Sequence, residues 1–246
     1  AASDVYKRQD SKVGGQGLTP TEEEAHFGLW CIMSSPLLIG CNLENMPDSS
    51  LKLLTNKELI ALNQDPLGLQ AYVAQHENEG YVLVKDIEQK RGNVRAVALY
   101  NPSDTICSFS VPFSSLEFGG NVKVRDLVKH SDLGNFSGTF EQTLPAHSAM
   151  FLRIEGETRL EPTLYEAEWA YLPLFNDLGK NPKGIIYAHD KEASGKMKVG
   201  FLGGQPENYA EWREVYSENG GRYDMTIHYL YGKGRQIELD VNGIIT

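Results

Sequence analysis

The sequence has little of what marks several classes of protein. It contains three cysteines in 246 residues, and Cys31, Cys41 and Cys107 show no metal-binding or redox spacing. Because their number is odd, small core residues are a better interpretation of them than a disulfide framework. The longest apolar run is far shorter than the roughly 18 residues of a membrane span, and the first ten residues contain no apolar signal core. Nothing in the sequence therefore specifies a compartment.

Basic residues are also scarce. There are 23 Lys and Arg against 33 Asp and Glu, a formal net charge of -10. Phosphate binding draws on clustered Lys and Arg, so nucleic acid and anionic membrane are disfavoured as partners and neutral substrates fit better. The remaining composition, 41% hydrophobic and 23% charged without a biased or repeated tract, is typical of a globular protein of about two domains.

Three common catalytic motifs are missing. The sequence has no Gly-x-Ser-x-Gly elbow and no phosphate-binding Gly-rich loop. No two histidines stand three or four residues apart, which argues against a helical zinc site. The six histidines are His26, His76, His130, His147, His189 and His228.

The first strong local signal is a helix start. Thr19, Pro20 and Glu22 have the pattern of a capping box, which predicts a helix from there to about Ser34. Glu22, Glu23 and Glu24 fall in its first turn, where negative charge favours the helix dipole, and we expect all three to be solvated.

An apolar run follows at 36–41. Leu37, Leu38 and Ile39 are apolar on both faces, as in a strand of a parallel sheet. Parallel neighbours need crossovers of a dozen or more residues, and too little chain precedes this run to supply them. We therefore expect apolar surface of this helical segment to be left uncovered and sticky.

Two further helices and a turn are predicted next. A short helix covers 47–54, and a second is capped by Asn56 with Leu59, Ile60 and Leu62 as its apolar stripe. Asp65 before Pro66 ends it and serves a turn.

From Leu69 the apolar period changes from helical to alternating. Turn formers separate seven short candidate strands, a spacing typical of an antiparallel sandwich. The candidate strands are 70–75, 80–86, 94–100, 105–112, 121–128, 136–143 and 147–154. A third segment begins after GETRLEPT and offers strands at 209–216, 222–231 and 235–242. Trp212 alternates with Ala210 there and is expected in a core.

The N-terminus favours an interpretation at the DNA level. Asp4 to Gln9, DVYKRQ, can be back-translated to most of a transposase adapter used in sequencing libraries. Residues 1–12 are therefore hypothesised to be adapter-derived, with an exposed polar arm as the alternative.

Three stretches together resemble one enzyme family. GLTPTEEEAHFGLWCIMSSPLLIG, NKELIALNQDPLG and VRDLVKHSDLGNFSGTF, within Val13 to Ile154, resemble the C-terminal part of glycoside hydrolase family 27, the alpha-galactosidases and alpha-N-acetylgalactosaminidases. The resemblance implies a mostly β chain: a remnant of a (β/α)8 barrel at 13–68, its last helices and strand, and then an antiparallel β-sandwich at 69–156. It also implies retaining hydrolysis by two aspartates, but no residue here matches either one. No catalytic residue is assigned.

The third segment, 157–246, resembles carbohydrate-binding modules of families 6 and 35. The resemblance is carried by YEAEWA, GKMKVGFLGG and GGRYDMTIHYLYGKGRQIELDVNG, and it implies a truncated, jelly-roll-like β-sandwich. Glu166 and Glu168 stand i, i+2 on a predicted strand, so both carboxylates share one face and repel unless a cation lies between them. Similar modules hold a structural calcium there; a solvated strand face is the alternative. Trp169 and Tyr187 are either sugar-stacking platforms or packing residues.

One residue, Asn42, is a candidate for contact with the substrate. Asn42 follows the predicted last barrel strand, where loops build the pocket of such barrels, but many relatives have Asp there; it is either a substrate-rim or a structural residue.

The resemblance implies the C-terminal piece of a secreted or periplasmic hydrolase that acts on alpha-galactosides of plant or host glycans without a catalytic cofactor. The piece itself should be inactive. The rival is a non-catalytic carbohydrate-binding protein.

Overall fold

The computed structural model describes residues 17–38, 44, 46–77, 79–176, 184–194, 197–213, 215–230 and 236–245. The described chain is mostly β, and none of its helices is long and apolar enough to cross a membrane. The helices are α1 (Pro20–Ile32), α2 (Asp48–Leu54) and α3 (Lys57–Asn63). The strands are β1 (Tyr72–Glu77), β2 (Gly80–Asp86), β3 (Val94–Asn101), β4 (Cys107–Pro112), β5 (Phe118–Asp126), β6 (Ser131–Ser137), β7 (Thr139–Leu144), β8 (Ser148–Arg159), β9 (Ile186–His189), β10 (Met197–Gly200), β11 (Asp240–Val241) and β12 (Ile244–Ile245).

The capping box at the start of α1 is confirmed. The backbone N of Thr19 donates to Glu22 Oε2 at 2.7 Å, and the backbone N of Glu22 donates to Thr19 Oγ1 at 3.3 Å. The Thr19 hydroxyl also donates to Glu22 Oε2, at 2.8 Å, and the two hydrogen bonds that the carboxylate accepts from Thr19 lower the pKa of Glu22. The prediction that all three glutamates are solvated is wrong for Glu23, which is 5% exposed and accepts a 2.8 Å hydrogen bond from Ser50 of α2. Burial also raises the pKa of Glu24.

The two following helices and their turn are confirmed as well. The Asn56 side chain accepts from the backbone N of Glu58 and of Leu59, which caps α3. Asp65 accepts from the backbone N of Leu67 at 3.1 Å and from that of Glu88 at 2.8 Å, so it fixes the turn after α3.

The predicted strand at 36–41 is described only in part. Residues 36–38 have no regular secondary structure, and 39–41 lie outside the described residues. Leu38 is 66% exposed, as expected for an apolar side chain without a neighbouring strand.

The predicted antiparallel sandwich is confirmed. Six strands form one sheet in the order β1-β2-β3-β8-β5-β6, and β4 pairs with β7 in a second sheet. All pairings within both sheets are antiparallel. The predicted strand at 136–143 is two strands, because the chain turns at Gly138, where φ is +75°, a conformation that favours glycine.

Alternation along the strands gives the large sheet two apolar faces. On β3, Val97 and Leu99 belong to the core between the sheets, while Ala96 and Ala98 belong to a second core under the helices. Burial of each large apolar side chain contributes roughly 1.5–3 kcal/mol. The core between the sheets contains Val82, Val84, Val97, Leu99, Cys107, Phe109, Val111, Phe113, Leu116, Phe118, Val122, Val124, Phe140, Leu144, Met150, Leu152 and Ile154.

The second core covers the helical segment, contrary to expectation. Cys31 and Ile32 of α1 and Leu59 of α3 are each 0% exposed against the large sheet. Burial raises the pKa of the Cys31 thiol to about 12. The expectation of uncovered apolar surface is therefore wrong for α1 and α3, because the outer face of the sandwich covers them. Cys31 and Cys107 are buried core residues as predicted, and Cys41 lies outside the described residues.

The strands predicted late in the third segment are largely wrong. Residues 209–213 and 215–230 contain an isolated bridge, Tyr171 to Glu211, and no strand, while 240–241 is the only strand within 236–242. The alternating apolar side chains of 222–230 are exposed, for example Tyr223 at 58% and Tyr229 at 64%. Alternation produces a strand only where a neighbouring strand completes its hydrogen bonds.

Candidate functional site

Glu166 and Glu168 flank a short turn at the start of the third segment. They do not lie on a strand as predicted, because Ala167–Trp169 forms one turn of 3-10 helix after an extended Glu166. The Oγ of Ser194 donates to Glu166 Oε2 at 2.8 Å. Glu168 Oε1 is buried and has no hydrogen-bond partner among the described residues. Burial raises the pKa of Glu168, and the negative charge of Glu166 adds to the effect.

Two candidate sugar-contacting rings meet the same turn. The Tyr187 hydroxyl donates to the backbone O of Glu168 at 3.0 Å, its ring centroid lies 4.7 Å from that of Phe175, and the side chain is 43% exposed. Trp169 is half-buried, and its ring centroid lies 4.6 Å from that of Tyr72 in β1. The structure thus brings Glu166, Glu168, Trp169 and Tyr187 together.

Trp212 also contacts this turn. Its Nε1 donates to the backbone O of Glu166 at 2.9 Å, and the side chain is 39% exposed. The prediction that Trp212 is a core residue is therefore wrong. The strand expected to bury it is absent at 209–213.

Sequence reasoning missed two members of the cluster, Ser194 and Phe175. Neither lies in a motif or at a periodic spacing from the glutamates, so no signal in the sequence would have found them. Asn42, the candidate substrate-rim residue, lies outside the described residues.

A metal site would have to be built on the glutamate pair. No cluster of three or more His, Cys, Asp or Glu side chains suited to a metal ion occurs within the described ranges. Calcium takes six to eight oxygen ligands, which include backbone carbonyls and waters as well as carboxylates. The buried Oε1 of Glu168 beside a second carboxylate has the chemistry of a cation ligand, but the pair alone is an incomplete set.

Comparison with known proteins connects the first two segments of the chain to one enzyme class. Residues 78–154 match the model of the alpha galactosidase C-terminal beta sandwich domain, and residues 6–65 match that of alpha galactosidase A. Two separate parts of the chain are therefore similar to alpha-galactosidases, which are glycoside hydrolases. The sandwich that carries the first match is the one described above, and all three helices fall within the second.

Individual relatives of the chain include alpha-galactosidases and one other family 27 enzyme. Alpha-galactosidase 3 of Arabidopsis thaliana is 38% identical over 139 residues, which cover 55% of this chain and 32% of that protein. The crystal structure of alpha-galactosidase I from Mortierella vinacea has a TM-score of 0.55 at 25% identity and covers 61% of this chain and 39% of its own. A family 27 β-L-arabinopyranosidase from Geobacillus stearothermophilus has a TM-score of 0.54 at 25% identity, covering 61% of this chain and 34% of its own. The chain spans about a third of the length of these relatives.

Proposed function

We propose that this chain is the C-terminal part of a retaining alpha-galactosidase-like hydrolase that releases terminal alpha-linked galactose from oligo- or polysaccharides. The observation that carries the proposal is the match of the sandwich at 78–154 to the alpha-galactosidase C-terminal domain. Polysaccharide substrates lie outside the cell, which supports a secreted or periplasmic location.

The proposed reaction needs two carboxyl groups about 5 Å apart, one as nucleophile and one as acid/base. Carboxylates of the described helical segment already have structural partners: Glu22 caps α1, Glu23 accepts from Ser50, and Asp65 fixes a turn. We therefore assign no catalytic role to them and place both catalytic aspartates on barrel strands outside this chain. In this proposal 13–68 is the end of a (β/α)8 barrel, and Asn42 lies at its substrate rim.

The structural relatives indicate which terminal sugar the proposed enzyme would release. β-L-arabinopyranose has the ring configuration of α-D-galactopyranose without its hydroxymethyl group, so one pocket can admit either sugar. The greater number of alpha-galactosidase relatives favours galactose here.

The first test uses the 246-residue chain itself on 4-nitrophenyl α-D-galactopyranoside. The proposal predicts no release of nitrophenol above buffer. Turnover that co-purifies with the chain and is lost on denaturation would place the catalytic groups inside it and contradict the assignment.

For the third segment we propose a carbohydrate-binding module with a structural calcium. Glu166 and Glu168 would hold the ion, and the buried, unpartnered Oε1 of Glu168 supports this. Bound calcium would neutralise two carboxylates that otherwise repel and so stabilise the turn. Tyr187 and the face of Trp169 turned away from Tyr72 would contact sugar.

Calorimetric titration of the metal-free chain with CaCl2 tests the ion. We expect Glu168→Gln to weaken calcium binding at least tenfold, and Glu192→Gln, an exposed glutamate of the same segment, to leave it unchanged. Equal binding by both variants would remove the glutamates from the site.

Affinity electrophoresis in a galactomannan gel tests the sugar contact. Tyr187→Ala should lose retardation, while Tyr223→Ala, an exposed tyrosine elsewhere in the segment, should keep it. Retardation by the chain, together with an intact native gene whose product hydrolyses no glycoside, would favour the alternative function, a non-catalytic carbohydrate-binding protein.

A further inference from the structure

Trp169 connects the third segment to the sandwich. Its indole Nε1 donates to the backbone O of Val73 at 3.0 Å, across 96 residues of sequence. Its ring centroid also lies 4.6 Å from that of Tyr72, the residue before Val73 on β1. One side chain thus makes both a directional and a packing contact with the same edge strand.

A second contact lies at Arg91, in the connection between β2 and β3. The guanidinium carbon of Arg91 stands 4.0 Å from the centroid of the Tyr216 ring, within the range of a cation–π interaction. The backbone N of Tyr216 donates to the Tyr165 hydroxyl at 3.2 Å, which ties it to the start of the third segment. Arg91 also donates to the backbone O of Leu160 at 3.2 Å.

Tyr72 and Arg91, the residues of the sandwich that contact the third segment, belong to one charged network. The Tyr72 hydroxyl receives a 2.8 Å hydrogen bond from Arg95 and lies 3.3 Å from Glu117 Oε1. Arg91 Nη1 is 3.3 Å from the other oxygen of Glu117. Arg95 is 2% exposed, so the network is fixed within the sandwich. The side chains that contact Trp169 and Tyr216 are therefore held by partners within the sandwich.

We propose that Tyr72, Val73 and Arg91 form an intramolecular docking face whose occupant is the third segment, held through Trp169 and Tyr216. The two contacts fix the orientation of the third segment relative to the sandwich. Trp169 is a positioning residue, and it sets where the adjoining Glu166 and Glu168 stand. The proposal holds whether or not the third segment binds sugar or calcium.

Pulsed electron resonance between two spin labels tests the docking. Exposed positions on each side take the labels, Thr139→Cys on the sandwich and Glu192→Cys on the third segment, with Cys41→Ser as background. Two phenylalanine variants form a matched pair. Trp169→Phe loses an indole hydrogen bond between the two parts, and Trp212→Phe loses one of the same kind within the third segment.

We expect a single narrow distance distribution in the parent and in Trp212→Phe. Trp169→Phe should raise the population outside the main peak about fivefold, the factor that one hydrogen bond provides. Arg91→Ala, which leaves the third segment's own sequence unchanged, should raise it as well. Circular dichroism of each variant checks that it is folded. A broad distribution in the parent, or the same distribution in both phenylalanine variants, would overturn the docking.

Discussion

Lys85 of β2 and Ser34 at the end of α1 meet across the boundary between the helical segment and the sandwich. The Lys85 Nζ donates to Ser34 Oγ at 2.8 Å and to the backbone O of Leu62 and of Leu69 at 3.1 Å each. Lys85 is 1% exposed, and burial lowers the pKa of its ammonium group. One buried cation therefore connects the ends of α1 and α3 and the following linker to the large sheet.

Replacing Lys85 with Met should destabilise the chain by about 2–3 kcal/mol, because three hydrogen bonds from a buried ammonium group are lost and the backbone O of Leu62 is left without that donor. Urea unfolding followed by circular dichroism measures the loss. Lys123→Met is the control, since that side chain is 53% exposed and pairs with Asp132 at 3.4 Å; its effect should stay within about 0.5 kcal/mol. Equal effects for the two variants would mean that Lys85 does not hold the segments together.

The buried pair of Arg95 and Asp86 should be strongly coupled. Arg95 Nε forms an ion pair with Asp86 Oδ1 at 2.9 Å, and that carboxylate accepts hydrogen bonds from Arg159 and from the backbone N of Arg91. Arg95→Met should cost about 3–5 kcal/mol, since it removes a buried partner charge. The double variant Arg95→Met/Asp86→Asn should lose less than the sum of the two single losses. Additive losses in urea unfolding would refute the coupling.

Glu58 should make the helix–sandwich boundary sensitive to acid. Two hydrogen bonds from Arg125, at 2.7 and 2.8 Å, lower the pKa of Glu58, and His130 adds to this. A carboxyl whose pKa is lower in the folded state stabilises the fold when ionised, and this contribution is lost as pH falls through the folded pKa. Glu58→Gln should therefore cost about 1 kcal/mol at neutral pH and clearly less at about pH 3, below the unfolded carboxyl pKa of about 4.3.

Urea unfolding of the parent and of Glu58→Gln, at neutral pH and at about pH 3, checks this prediction. Glu141→Gln, at an exposed position of β7, is the control and should cost less than about 0.5 kcal/mol at neutral pH. A cost for Glu58→Gln that is the same at both pH values would contradict it.

Gly28 allows α1 to approach the large sheet. A Cβ at this position would stand 2.1 Å from Cε2 of Phe151, which is 0% exposed. Gly28→Ala should therefore destabilise the chain by about 1–2 kcal/mol despite the better helix propensity of alanine. In a Phe151→Leu background the same change should become neutral or stabilising. Thermal unfolding of the parent, the two single variants and the double variant tests this prediction. Destabilisation by Gly28→Ala in both backgrounds would exclude the steric explanation.

The sequence was sufficient to predict those helices and strands that depend on neighbouring residues in the chain. The capping residues Thr19 and Asn56 and the alternation of β2 and β3 gave the right elements, because caps and periods depend on neighbours in the chain. Burial of Glu23 was not foreseeable, since its partner Ser50 comes from another helix. The alternating pattern of 222–230 predicted a strand, but a strand needs partners that a pattern cannot supply.

The sequence named the candidate residues of the third segment separately, and it did not predict their geometry. Glu166, Glu168, Trp169 and Tyr187 do meet, yet the i, i+2 spacing of the glutamates belongs to a 3-10 turn instead of a strand. Spacing alone does not separate the two, because a turn can also bring two carboxylates close. Contacts such as Trp169 with Val73 depend on how two segments pack, and no local pattern encodes that packing.

The most direct test of the account is a proton NMR time course of an aryl α-D-galactopyranoside with the protein encoded by the intact native gene. The account predicts hydrolysis in which α-galactose appears first and then mutarotates. Absence of hydrolysis, with α-D-galactopyranoside and β-L-arabinopyranoside alike, would contradict it, as would β-galactose as the first product.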